Sequence, residues 1–201
     1  MSLTFLHVET KTHKYFKDFV EIYTQAFDED EQESIEVIKQ RIQEKRYSLV
    51  LALKDETILG FYILDIVKKY KFVILTFLAV AENFRANGYG KELCNDAISF
   101  VLNLKNIDLF LTEAKELQSV FYKRLGFKKL NLDYNIPNFD DENSAETNLM
   151  IFPLDEEKSV KKEYLKKIIQ DIFMDGYQVK EDDIRLKNQL EKINKNIEWI
   201  S

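Results

Sequence analysis

Arg85-Ala86-Asn87-Gly88-Tyr89-Gly90 is the stretch of this 201-residue chain whose residue types and spacing most directly suggest chemistry. Two glycines, Gly88 and Gly90, let a backbone come close to a bulky anion. The first turn of a following helix adds unpaired N–H groups and the positive end of its dipole. That is a phosphate cradle in outline. It is not a Walker loop, because no GK[ST] follows, and it lacks the first glycine of the GxGxxG dinucleotide fingerprint. Nucleophilic catalysis finds little material, since the chain offers no credible Ser/His/Asp set. Its single cysteine, Cys94, falls on the apolar stripe of a helix, and His7 and His13 lie far from the loop. One cysteine and two histidines also leave little for a zinc site or a disulfide framework. No metal is expected, and a reducing, cytoplasmic setting is the simplest inference.

The elements around the loop follow from hydrophobic periodicity. Residues 72–80 form an apolar strand in which only Thr76 is polar, so both faces are expected to be buried. After the loop, Leu93, Cys94, Ala97, Ile98, Val101 and Leu104 recur at helical spacing. Upstream, residues 3–8 read as a strand, and Phe16, Phe19, Val20, Tyr23, Ala26 and Phe27 mark an amphipathic helix. An acidic run, Asp28-Glu29-Asp30-Glu31-Gln32-Glu33, leads into a second helix carrying Ile35, Ile38 and Ile42. Strands 47–53 and 58–67, joined by short polar turns to each other and to 72–80, make an antiparallel meander. Downstream come a strand at 107–111, a short helix at 118–125 ending on Gly126, and a strand pair at 127–134 and 147–154. Residues 135–146 between them read as a loop long enough to line a substrate opening. A helix connects strands 72–80 and 107–111, which makes those two parallel. The fold class is therefore α/β, an α+β arrangement on a mixed sheet.

Arg85 to Gly90 resembles the acyl-CoA signature of the GNAT acyltransferases, [RQ]-x-x-G-x-[GA]. The approach Val80-Ala81-Glu82-Asn83-Phe84-Arg85 keeps the valine, aromatic and arginine of the family's V-x-P-x-[YF]-R. Glu82 stands where proline is common, and Ala86 where glycine is. A second segment, Phe121-Tyr122-Lys123-Arg124-Leu125-Gly126-Phe127, looks like the family's FYxxxGF. The resemblance implies a GNAT acyl-CoA N-acyltransferase fold over residues 3–154, with acetyl-CoA as co-substrate and an amine as acceptor. It places Leu78, Ala79 and Val80 beside the thioester, where the pantetheine arm pairs with strand backbone. Arg85, Ala86, Asn87, Gly88, Tyr89 and Gly90 would take the phosphates, with Lys91 adding charge.

Direct attack of an amine on a thioester needs a positioned nitrogen, a place for the oxyanion and a proton for the departing thiolate. Tyr122 is the candidate acid, because a phenol titrating near 10 can protonate a thiolate; the resemblance gives the FY tyrosine the same role. Packing beside Phe121 is its purely structural alternative. Glu113 is the candidate base, since some members relay the amine proton through water to a glutamate near the end of the corresponding strand. Its structural alternative is a first-turn acid for the next helix, and Glu82 is the second choice. Two departures stand out. Other members place a carboxylate inside the strand at 72–80, and this chain has none there. Lys115 and Gln118 occupy the asparagine and alanine positions of N-x-x-A-x-x-[FL]-Y, leaving Lys115 to reach the CoA as a cation.

Beyond residue 154 the chain reads as a helical C-terminal extension, 155–201. Val160, Tyr164, Leu165, Ile168, Ile169, Ile172 and Phe173 form its apolar stripe, Gly176 ends it, and a charged segment follows. Such a stripe docks on its own domain or on a second copy, giving a monomer or a homodimer. A formal charge of −6 argues against sequence-independent nucleic-acid binding. No apolar run is long enough to span a membrane, no signal-peptide layout opens the chain, and Met1-Ser2-Leu3 is compatible with an expression leader. The acidic run at 28–33 reads as a solvated helix start, and would otherwise draw a cationic amine. Two rivals stay open: a GNAT-shaped module that binds acyl-CoA or a partner without turnover, and a nucleotide-binding protein that uses the loop for ATP.

Overall fold

Alternation along β3 (Thr57–Val67) sends Phe61 to one face of the sheet and Tyr62 to the other, and helices cover both. The computed structural model describes residues 3–10, 12–139 and 143–200. Met1 and Ser2 of the suggested leader lie outside those residues. The chain divides into two compact units, Met1–Ile107 and Asp108–Ser201.

In the first unit β1 (Thr4–Val8), β2 (Tyr47–Lys54), β3 and β4 (Phe72–Val80) pair antiparallel in that order. On one face α1 (Phe16–Ala26) and α2 (Ile35–Gln43) bury Phe16, Phe19, Tyr23, Ile38 and Ile42 against Leu49, Leu51, Phe61, Ile63 and Phe77. The Phe19 ring meets Phe61 edge-on at 4.8 Å and Tyr23 meets Phe77 at 5.1 Å. Burying each such aromatic contributes about 1.5–3 kcal/mol, so the 3.6-residue spacing of the stripe is enforced by packing. The other face takes α3 (Tyr89–Leu102) with Leu93, Cys94 and Ala97 fully buried. Gly60 permits that approach: a Cβ there would sit 2.4 Å from the Ala79 carbonyl oxygen and 2.9 Å from Leu93 Cδ1.

The expectation that β4 is buried on both faces holds from Phe72 to Leu75, and then alternation sets in. Thr76, Leu78 and Val80 are half-buried while Phe77 and Ala79 are covered. The change coincides with a bulge, because Ile63 opposes Phe77 and Leu64 opposes Leu75, leaving Thr76 as the extra residue. Bulges sharpen twist and re-aim side chains.

In the second unit β5 (Leu109–Ala114) and α4 (Glu116–Arg124) are displaced from their expected spans, the strand running later and the helix starting earlier. The expected strand at 127–134 is broken into β6 (Lys128–Leu130) and β7 (Tyr134–Pro137). The expected loop at 135–146 is largely a hairpin: β7 pairs with β8 (Ser144–Phe152) from Tyr134↔Thr147 to Pro137↔Ser144. Only 138–143 remain as its tip, of which 140–142 lie outside the described residues. Pro137 fits because β7 pairs on one side only, where a missing N–H costs no ladder bond.

The extension is helical, as α5 (Lys162–Asp171), a π-helical turn (Ile172–Gly176) and α6 (Ile184–Glu191) show. It also contains two short strands that periodicity did not reveal, β9 (Ser159–Val160) and β10 (Ile197–Ile200). β10 pairs with both β9 and β6, so the second unit's strands run β5-β8-β6-β10-β9. Leu165, Ile168 and Ile169 are fully buried within the single chain. Among the described residues no helix is long and apolar enough to cross a membrane.

Candidate active site

The glycine loop is built as an anion cradle requires. β4 ends at Val80, a 3-10 turn (Glu82–Phe84) follows, and Gly88 becomes the N-cap of α3 with φ +83°. That left-handed conformation strongly favours glycine. Nothing lies within 4 Å of where a Gly88 Cβ would be, so the space over the loop is open. Ala86 is also left-handed, with φ +63°. Gly90 has no such need and sits in the first helical turn. The Lys91 and Glu92 amides turn back to the Gly88 carbonyl, while the first helical amides, Tyr89 and Gly90, have no intrahelical acceptor. Arg85 and Lys91 are exposed beside them, and Asn87 Nδ2 donates to the Phe84 and Arg85 carbonyls at 3.2 and 3.0 Å. Open space, helix-start amides and two cations fit a phosphate or pyrophosphate group. Leu78 and Val80 show half-buried side chains on one face of β4, with Ala79 covered on the other.

The second unit assembles the other expected residues along β5 and α4. Glu113 is the last but one residue of β5, neither beyond the strand nor in the first turn of the helix. Its Oε1 accepts a hydrogen bond from Tyr134 Oη at 2.5 Å, and its Oε2 one from Tyr177 Oη at 2.7 Å. Burial raises the Glu113 pKa above the ordinary carboxylate value, and the two phenol bonds oppose that without cancelling it. Lys115 is the N-cap of α4 and is exposed, as is Gln118 one turn on. Tyr122 follows four residues after Gln118 and is buried. Its ring packs edge-on against Phe121 at 5.1 Å and Phe127 at 5.4 Å. Gly126, with φ +100°, lets the chain turn so that the Leu125 and Phe127 amides both reach the Tyr122 carbonyl.

Two features escaped sequence reasoning. Tyr134 and Tyr177 bracket Glu113 from positions 21 and 64 residues away, a closeness no local pattern encodes. Glu33 is not part of a solvated run, although Asp28, Glu29 and Asp30 are exposed. It is 1% exposed, its Oε1 lies 2.8 Å from Arg41 Nη1, and its Oε2 accepts from Tyr47 Oη at 2.8 Å. Burial pushes its pKa up to about 7 against the pull of Arg41. Cys94 is core as expected, its thiol pushed up to about 12 by burial. Glu82 is exposed on the 3-10 turn. His7 stacks near Phe100 at 5.4 Å, and His13 Nδ1 accepts from the Tyr15 amide at 3.4 Å, both in structural settings.

A left-handed glycine caps the helix that follows a bulged strand, and downstream a buried tyrosine stands on a short helix. Residues 13–127 match the acetyltransferase (GNAT) family, more than half of the chain, and the chain belongs to that family. Solved structures agree on the fold. One from Bacteroides thetaiotaomicron, described as a GNAT-family acetyltransferase, is 20% identical with a TM-score of 0.71, covering 88% of this chain and 99% of its own. A GNAT family acetyltransferase from Elizabethkingia anophelis with acetyl-CoA bound is 19% identical with a TM-score of 0.53, covering 74% and 95%. An acetyltransferase from Bacillus subtilis in complex with CoA is 17% identical with a TM-score of 0.56, covering 76% and 98%.

Proposed function

We propose that this chain transfers an acetyl group from acetyl-CoA to a primary amine by direct attack of the amine on the thioester. The observation that carries the reading is Gly88, left-handed at the start of α3 with open space above it. Arg85, Ala86, Asn87, Gly88, Tyr89 and Gly90 hold the phosphates, and the backbone of Leu78, Ala79 and Val80 takes the pantetheine arm. Lys115 and Gln118 supply further contact, the lysine as a cation.

Tyr122 acts as the acid that protonates the departing thiolate. Glu113 acts as the base: each carboxylate oxygen has two lone pairs, so an oxygen bonded to one phenol still accepts from a water. A raised pKa makes this carboxylate a better proton acceptor than an exposed one. Three exposed acids, Asp28, Glu29 and Asp30, favour a cationic acceptor. A cytoplasmic setting and a functional domain ending near residue 154 belong to the same proposal, the former supported by the free, buried Cys94.

The second reading is a non-catalytic module that binds acyl-CoA or a partner. Lys115 and Gln118 at the family's asparagine and alanine positions favour it, as does a β4 without a carboxylate. Thiol release from acetyl-CoA, followed with a panel of primary amines, separates the two. Amine-dependent release supports the enzyme, and acetyl-CoA binding without release supports the module.

A further inference from the structure

We propose that Tyr177, contributed by the C-terminal extension, is a positioning residue for the Glu113 carboxylate, which makes the extension a working part of the acyltransferase. The inference rests on the reading of Glu113 as the base.

Glu113 receives one phenol on each oxygen, from two separate elements. Tyr134 comes from β7 and Tyr177 from the residue after the π-helical turn. A carboxylate held at both oxygens has lost rotation about its last torsion, so its remaining lone pairs point in fixed directions. On β8, the residue opposite Glu113 is Leu149, which is apolar. Among the described residues, the hydrogen bonds to the Glu113 carboxylate come from the two tyrosines, both neutral donors. The nearby Glu116 turns instead to Asn148 at 2.9 Å and Lys129 at 3.9 Å. Two neutral donors therefore orient this carboxylate without neutralising it.

Tyr177 is itself fixed. Its amide closes the π turn onto the Ile172 carbonyl at 2.9 Å, and Val179 donates to the Phe173 carbonyl at 3.1 Å. Its ring lies 5.0 Å from Phe139 and 6.2 Å from Phe173. The π turn follows directly on α5 and ends at Gly176, so Tyr177 is the first residue beyond it. Here the turn aims one hydroxyl. Removing that hydroxyl keeps the ring contacts with Phe139 and Phe173, so Tyr177→Phe takes away the bond to Glu113 while leaving the ring in place.

In the reaction the amine nitrogen bonds the acyl carbon as the carbon–sulfur bond breaks; one amine proton passes through a water to Glu113, which ends neutral, and the departing thiolate takes a proton from Tyr122, so charge and protons balance. Each phenol bond favours the charged carboxylate, so losing one moves its titration to higher pH. The test uses the full-length chain and its Tyr177→Phe variant. Acetyl-CoA-dependent thiol release is followed against pH with whichever of an alkyl diamine, an amino-acid amide or a lysine peptide turns over. The variant is expected to move the acid limb of kcat/KM up by about one pH unit, roughly a tenfold loss on that limb, with KM for acetyl-CoA unchanged. Carbon NMR of the Glu113 carboxyl should show the same upward move. An unmoved limb in an enzyme that turns over, or an unmoved Glu113 titration, overturns the positioning role alone. A wild-type chain that binds acetyl-CoA and releases no thiol with any amine overturns the acyltransferase reading and this role with it.

Discussion

Arg85 donates from Nε to the carbonyl oxygen of Val80, 3.3 Å away, and so ties the first residue of the glycine loop back to the last residue of β4. The loop is thereby held short, and the chain between the strand and α3 must turn within a few residues. Two of them, Ala86 and Gly88, turn left-handed to do it. A side chain in that conformation costs roughly 1–2 kcal/mol. Ala86→Gly removes the strain and adds freedom to the unfolded chain, which offsets about 0.4–1 kcal/mol of the gain. The expected outcome in urea denaturation is a net stabilisation of about 0.5–1 kcal/mol. Destabilisation would mean that the Ala86 methyl makes a contact worth more than its strain.

Gly60→Ala is expected to act in the opposite direction. The added methyl would meet the Ala79 carbonyl oxygen at 2.4 Å, a backbone atom that cannot swing away. Overpacking of this kind costs about 1–3 kcal/mol, and displacement of β4 would also weaken acetyl-CoA binding. Equilibrium denaturation checks the first effect and a ligand titration the second. A variant as stable as the parent would contradict the close packing of β3 on β4 and α3.

Much of this was legible in the sequence because it is local. The helices α1, α2 and α3 and the meander β2–β3–β4 follow from stripes and alternation, and the loop takes its signal from Arg85 to Gly90 together with the downstream segment Phe121 to Phe127. The hairpin of β7 and β8 was not, because Asn135 and Pro137 carry loop signals that only an edge strand tolerates. The strands β9 and β10 were hidden by their length, two and four residues, below what a period of two can reveal. Glu113 is singled out in the sequence by its place after an apolar run, whereas its contacts with Tyr134 and Tyr177 carry no local signal because they exist only in three dimensions. Glu33 was misread for the same reason: its acidic neighbours face water, and Arg41 and Tyr47 cover it from other elements.

Glu33 makes stability pH-dependent in a predictable direction. Its folded pKa is raised from 4.5 to about 7, so between those values the folded chain keeps a proton that the unfolded chain releases. The contribution is fully present below the lower value and is lost as pH rises through the upper one. At ~1.4 kcal/mol per unit the whole effect is a few kcal/mol at most. Glu33→Gln should lower stability overall, because the buried Arg41 guanidinium loses the carboxylate beside it, yet flatten the fall in stability between pH 5 and pH 7. Denaturation midpoints across that range decide it, and an unchanged slope in the variant would contradict the assignment.

Tyr122→Phe tests the proposed acid with little structural disturbance, since the ring keeps its edge contacts with Phe121 and Phe127. Loss of a general acid typically costs about 10²–10⁴-fold. Steady-state kinetics should show kcat reduced by about that factor with the KM for acetyl-CoA unchanged. Wild-type turnover in the variant would leave Tyr122 a packing residue and move the proton donor elsewhere.

The central claim, that the loop from Arg85 to Gly90 receives acyl-CoA, is tested most directly by the thermal stability of the purified chain with acetyl-CoA, free CoA or ATP. A ligand at about a hundredfold over its Kd stabilises the folded state by ~2.7 kcal/mol, a shift of several degrees. The account predicts that shift with acetyl-CoA and with CoA, a smaller one with ATP, and its loss in Gly88→Asp, where a side chain and a negative charge enter the open space above the loop. A cooperatively melting chain that does not shift at millimolar acetyl-CoA, or a Gly88→Asp variant that shifts as the parent does, would contradict it.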